Sequence, residues 1–167
     1  MADELFPLVD EDGNVIGSAT RTECHSGSML LHPVVHLHVI DDKGSFYLQK
    51  RSHNKKIQPG KWDTAVGGHV DYGESIVEAL YRETSEELGV EISNPRFLCS
   101  YLFRSAIEYE LINVYCIVVS DSFCPSLNPD EIIDGRFWTR QEIEEIMGKN
   151  VLTPNFEQEY LRILNLI

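Results

Sequence analysis

Residues 63–90, DTAVGGHVDYGESIVEALYRETSEELGV, decide how the chain reads, because a helical pattern there ends in three crowded glutamates, Glu83, Glu86 and Glu87. At about 100° per residue, Ile76, Ala79 and Leu80 share one face of a helix expected over Ser75–Leu88. Gly89 stands where a left-handed cap would close it. A solvated acidic face would lie opposite the apolar stripe; instead Glu83 and Glu87 continue the stripe, with Glu86 at its edge. Carboxylates three and four residues apart repel by roughly a few tenths of a kcal/mol per pair, and more when partly buried. A hard divalent cation would neutralise them, and an all-oxygen set suits Mg²⁺ or Mn²⁺. The bland alternative is a salt-bridged helix face with Arg82 as the main partner.

Upstream, FPLVDEDGNVIGSATR reads as two short strands around an Asp-Gly-Asn turn, and residues 34–40 and 46–50 as a second pair around DDKG. PGKWDTAVGGHVDYG reads as a Gly-rich loop region. Downstream, RFLCSYLFR, ELINVYCIVV and DGRFW read as strands and QEIEEIMG as a short helix. In the tail, Phe156, Tyr160, Leu161, Ile163 and Leu164 form the stripe of an amphipathic helix. Strands mixed with two or three helices predict an α/β or α+β sandwich, and 167 residues fit one domain spanning 1–167.

A net charge of −13 disfavours nucleic acid polymers as partners. The acidic N-terminus and the lack of a long apolar run argue against a signal peptide or membrane span, so a cytoplasmic location is expected. Cys24, Cys99, Cys116 and Cys124 lack C-x-x-C spacing and read as free thiols. Against the acidic background, KRSHNKK places Lys50, Arg51, Lys55 and Lys56 around His53, which is either a local anion seat or a solvated turn.

The pattern G-x5-E-x7-R-E-x-x-E-E-x-G-hydrophobic, here Gly68, Glu74, Arg82, Glu83, Glu86, Glu87, Gly89 and Val90, resembles the Nudix box. Thr84 departs from it, since an aliphatic residue is usual there. The resemblance implies an α/β/α sandwich with a mixed central sheet and hydrolysis of a nucleoside diphosphate derivative or related organic diphosphate. It also implies that Gly68, Glu83, Glu86 and Glu87 hold Mg²⁺ or Mn²⁺, while Glu74 and Arg82 brace loop and helix. Glu83, Glu87 and Arg82 are the catalytic candidates, with Glu83 as the base.

A second set of residues, His25, His32, His69, Glu108 and Glu110, resembles the metal site of type I isopentenyl-diphosphate isomerases, a branch of the same superfamily. The likeness is carried by VDEDGNVIG, by the H-x6-H spacing of His25 and His32, by the PGKW and GH steps and by E-Y-E. It implies a second divalent metal at the histidine cluster and a diphosphate grip by Arg21, Arg51 and Lys55. That branch requires a cysteine two residues before the position of His69, where this chain has Gly67. The complete box therefore favours a hydrolase on an isomerase-like scaffold, with an isomerase or a non-catalytic sensor as alternatives. Tyr101, Phe103, Tyr109 and Trp62 are candidates to line the substrate pocket, His36 and His38 read as a polar strand face, and a homodimer remains open.

Overall fold

Strand β3 (Leu31–Asp41) organises the molecule, and its residues His32 to Ile40 are all buried. The computed structural model describes residues 2–167. The chain runs β1 (Leu5–Val9), β2 (Val15–Thr20), α1 (Arg21–Cys24), β3, β4 (Phe46–Arg51), β5 (Trp62–Thr64), β6 (Val66–His69), α2 (Ile76–Leu88), β7 (Arg96–Arg104), β8 (Tyr109–Val119), β9 (Ile132–Trp138), α3 (Arg140–Ile146) and α4 (Pro154–Ile163).

On one edge β3 pairs in parallel with β8 from Leu31↔Tyr109 to Asp41↔Val119. Its other edge is shared. β6 lies antiparallel along Val34–Leu37, and β4 takes over at Val39 and Ile40, so the sheet forks there. β4 continues the sheet to β5 and β9, β7 extends it beyond β8, and β1 and β2 form a separate hairpin.

Alternation along β3 sorts the two sides of the sheet. Val35, Leu37 and Val39 pack with Ala79, Leu80 and Leu88 of α2. Val34 and Ile40 join a cluster containing Ile143 of α3 and Phe156, Tyr160 and Ile163 of α4. Helices on both faces of a mixed sheet give the expected α/β/α sandwich.

Several local expectations need correction. The Gly-rich region contains β5 and β6, whose few residues are held by pairing with β4 and β3 rather than by any periodicity of their own. Ser75 is the N-cap of α2, accepting the Glu78 N–H at 3.1 Å, not its first helical residue. Leu161 is 64% exposed; the buried face of α4 instead includes Glu159. The polar strand face of His36 and His38 is buried, with both rings against that glutamate. Thr84 is fully buried, and its hydroxyl donates to the Leu80 carbonyl at 2.7 Å, so its own helix satisfies it.

Candidate active site

The last turns of α2 reach the sheet at β6. Gly89 caps the helix at φ 63°, and a Cβ there would meet the Ser126 carbonyl at 2.9 Å. The Ser126 and Asn128 amides donate to the Leu88 and Glu87 carbonyls at 2.7 and 3.2 Å. A helix end fixed this firmly holds Glu87 under β6, where its Oε2 accepts the Gly67 N–H at 3.1 Å. Gln49 Nε2 lies 3.4 Å from Glu87 Oε1. Glu87 has no ion-pair partner among the described residues, and burial pushes its carboxyl well above the usual range, with the Glu83 charge adding to the effect.

Glu83 stands one turn earlier against Gly68. A Cβ on Gly68 would collide with the Glu83 carboxylate carbon, so glycine is required for that approach. Burial pushes the Glu83 carboxyl up to about 7, against the pull of Arg82, whose NH1 donates to Glu83 Oε1 at 2.9 Å. Glu86 is the exposed member, 3.4 Å from the same nitrogen.

Arg82 also makes a two-pronged contact with Glu74, Nε to Oε2 at 2.8 Å and NH2 to Oε1 at 2.9 Å, and NH2 donates to the His69 carbonyl at 3.0 Å. Glu74 Oε1 accepts the Asp71 N–H at 3.0 Å. These bonds clamp loop, strand and helix together. The residues fit a divalent cation: of the two inward carboxylates with raised pKa only Glu83 is paired with the Arg82 guanidinium, and a cation beside them would restore the charge of both.

The second set converges too. Parallel register sets His32 beside Glu110, and antiparallel register sets His69 opposite Val34. A capping box between Thr20 and Glu23 forms α1, which delivers His25 at its end. His25 Nε2 lies 3.0 Å from Glu108 Oε2 and 3.2 Å from His69 Nε2. His69 Nε2 and His32 Nε2 lie 3.6 and 3.8 Å from Glu110 Oε2. One donor atom from each of His25, His32, His69 and Glu108 falls within 4.8 Å of the others. Glu108 precedes β8 rather than lying in it, yet joins the same cluster.

Burial lowers the pKa of all three histidines and raises those of Glu108 and Glu110, with the Glu108 charge also raising Glu110. Neutral imidazoles are ligand-competent. The buried His32 Nε2 has no hydrogen-bond partner among the described residues, which fits a cation as its missing partner. Phe6 stacks on the His69 ring at 4.6 Å between centroids and 3° between planes, fixing its orientation.

Residues of both sets, though not the fully buried His32, line one cleft of about 600 Å³, whose lining also includes Arg21, Arg51 and Lys55. Each is already paired, Arg21 with Glu4 at 2.7 Å, Arg51 with Asp63 at 3.3 Å and Lys55 with Glu131 at 3.7 Å. Of the basic run, Arg51 and Lys55 face the cleft. Of the aromatic candidates, Phe103 lines it, whereas Trp62 is a core residue packed on Trp138 at 5.1 Å. Tyr109 lies under Arg104 at 4.2 Å, and the Tyr101 hydroxyl reaches Glu159.

The sequence reading missed Gln49, Asp63, Asn155 and Glu159. Glu159 had a legible signal, a carboxylate inside the apolar stripe of the tail helix between Phe156 and Ile163. The others become visible only once β4 and β5 are paired and α4 is docked.

Residues 30–157 match the family model described as NUDIX domain. The chain is 31% identical to isopentenyl-diphosphate Delta-isomerase 1 of Photorhabdus laumondii, covering 96% of this chain and 95% of that protein. It is 30% identical to an uncharacterised Nudix hydrolase of Streptomyces coelicolor, covering 97% and 89% respectively. A crystal structure of a Deinococcus radiodurans protein, DR0079, superposes with a TM-score of 0.81 at 28% identity, over 96% of this chain and 99% of that one. With the matched model spanning most of its length, the chain belongs to the Nudix family.

Proposed function

We propose that the protein is a divalent-metal-dependent Nudix hydrolase that cleaves the diphosphate linkage of a nucleoside diphosphate derivative or a related organic diphosphate. The observation that carries this reading is the buried Glu87, which lacks an ion-pair partner among the described residues, beside Glu83 and Gly68 at the mouth of a cleft rimmed with basic side chains. The Gly68 carbonyl, Glu83, Glu86 and Glu87 would hold Mg²⁺ or Mn²⁺, and the histidine cluster a second divalent ion.

Bound there, a divalent ion supplies charge neutralisation for the diphosphate and acidifies water. Glu83 accepts the proton of the attacking water; the water oxygen bonds to one phosphorus, and the bridging oxygen leaves with the other phosphate. Arg82 holds Glu83 in position and keeps Glu74 tied to the loop. Arg21, Arg51 and Lys55 exchange carboxylate partners for phosphate oxygens, a modest rearrangement for pairs that all keep some exposure to solvent.

A second reading, isoprenoid diphosphate isomerisation, is favoured by the cluster of His25, His32, His69 and Glu108, with Glu110 beside it, and by the names of several relatives. Gly67 weighs against it. A Cβ at that position would meet His36 Cδ2 at 3.3 Å, so a thiol there would require the ring to give way. Assaying nucleoside diphosphate sugars and isopentenyl diphosphate with Mg²⁺ and Mn²⁺ separates the two. Metal-dependent release of phosphorylated products supports the hydrolase; double-bond migration without hydrolysis refutes it in favour of the isomerase.

A further inference from the structure

Among the described residues, His36 is the one histidine lining the cleft that lies outside the candidate metal clusters. It lies on the central strand, opposite Gly67 in the β3–β6 register. Its Nδ1 is 2.8 Å from Glu159 Oε1, and Glu159 is fully buried, so that ring nitrogen carries a proton and the ring cannot flip without breaking the contact. The same carboxylate is fixed from two further directions, by His38 Nε2 at 2.5 Å from Oε2 and by the Tyr101 hydroxyl at 2.5 Å from Oε1.

The opposite edge of the ring is open. A Cβ on Gly67 would lie 3.3 Å from His36 Cδ2 and 3.5 Å from Nε2, so the absence of a side chain at 67 leaves that edge facing free space. Nε2 has no hydrogen-bond partner among the described residues, although His36 as a whole is only 8% exposed. Burial works against a charged ring, but the Glu159 carboxylate outweighs it and pushes His36 up to about 9. The charges of Asp63 and Glu110 act in the same direction without touching Nε2. A protonated ring donates from both nitrogens.

We propose that His36, positioned by Glu159, selects the substrate by donating its Nε2–H to an oxygen on the organic moiety attached to the diphosphate. The inference rests on the hydrolase reading and narrows it. A hydrocarbon chain laid over this wall would bury a cationic N–H with no partner, whereas a sugar hydroxyl or base carbonyl would satisfy it. Sites built around such a donor reject analogues that lack the acceptor far more strongly than apolar pockets reject an extra group. The substrate class is therefore a nucleoside diphosphate derivative rather than an isoprenyl diphosphate.

The test combines turnover with binding. Steady-state hydrolysis of UDP-glucose, ADP-ribose and dimethylallyl diphosphate is compared among wild type, His36→Leu, His36→Gln and Glu159→Gln, with melting temperatures recorded for each. For the preferred nucleoside derivative, His36→Leu is expected to lower kcat/KM by about tenfold or more, chiefly through KM, and His36→Gln to recover part of the loss. In parallel, wild-type protein with ¹⁵N-labelled histidine is titrated with UMP, AMP and inorganic pyrophosphate. The His36 Nε2 resonance should move with a nucleotide and much less with pyrophosphate, and Glu159→Gln should perturb that resonance before any ligand is added.

An unchanged KM in His36→Leu, wild-type turnover confined to dimethylallyl diphosphate, or an Nε2 shift as large with pyrophosphate as with nucleotide each overturns the proposal. Absence of all hydrolysis by wild type sinks the hydrolase reading instead, and the ¹⁵N titration then decides the role of His36 alone. If His36→Leu does not fold, His36→Gln and the wild-type titration carry the decision.

Discussion

The Gly67 amide donates to Glu87 Oε2 at 3.1 Å, tying the last turn of α2 to the strand that forms the cleft wall. Because burial already favours the protonated carboxyl, Glu87→Gln is nearly isosteric with the form present without a cation. The variant should fold with a stability change of less than about 1 kcal/mol and lose metal-stimulated turnover. Thermal melts with chelator and with Mn²⁺ check this: the wild type should gain melting temperature on metal addition, and the variant should gain much less.

Gly68→Ala tests the close approach of helix and strand. The added methyl meets the end of a flexible side chain, Glu83, rather than backbone, so the fold should survive while Glu83 swings away. Circular dichroism should stay native-like, with the turnover rate falling roughly 100-fold or more if Glu83 is the base. Retained full activity would remove Glu83 from that role.

The raised pKa of Glu83 gives a pH signature. Its folded value of about 7 exceeds the ordinary 4.5, so between these values the folded protein holds a proton that the unfolded chain releases. The associated stability is complete below about pH 4.5 and declines as pH rises through 7, by an amount on the order of 3 kcal/mol in total. In chelator, the melting temperature of wild type minus that of Glu83→Gln should fall from pH 5 to pH 8, and Mg²⁺ should flatten the slope. A difference that rises with pH would contradict the assigned burial.

Glu159 binds two imidazoles and a phenol in the core, and burial is outweighed there by the His36 charge, which holds its carboxyl far below the usual range. Glu159→Ala strands those partners and should cost roughly 3–5 kcal/mol. Glu159→Gln, which keeps the shape, should cost clearly less. Urea denaturation of both variants measures the difference.

How far the sequence could be read followed from the range of the interactions involved. The helix Ile76–Leu88, its cap and its inward glutamates were legible because they are local: a 3.6-residue period, a terminating glycine and carboxylates that continue the stripe. β5 and β6 were not, because three- and four-residue strands take their conformation from β4 and β3. The histidine–glutamate cluster was legible as a set of residue types through the likeness to a known branch, but its closure depends on the β3–β8 register and on Phe6. His36 and His38 were noticed without a role, since the partner that buries them lies more than 120 residues away in α4.

The most direct measurement is phosphate and pyrophosphate release from nucleoside diphosphate sugars, dinucleotides and isopentenyl or dimethylallyl diphosphate, with Mg²⁺ and with Mn²⁺, for wild type and Glu87→Gln side by side. Release that requires the metal and disappears in a folded Glu87→Gln protein is the predicted result. Undiminished turnover in that variant, or tight binding of one compound with no release from any, would contradict the account.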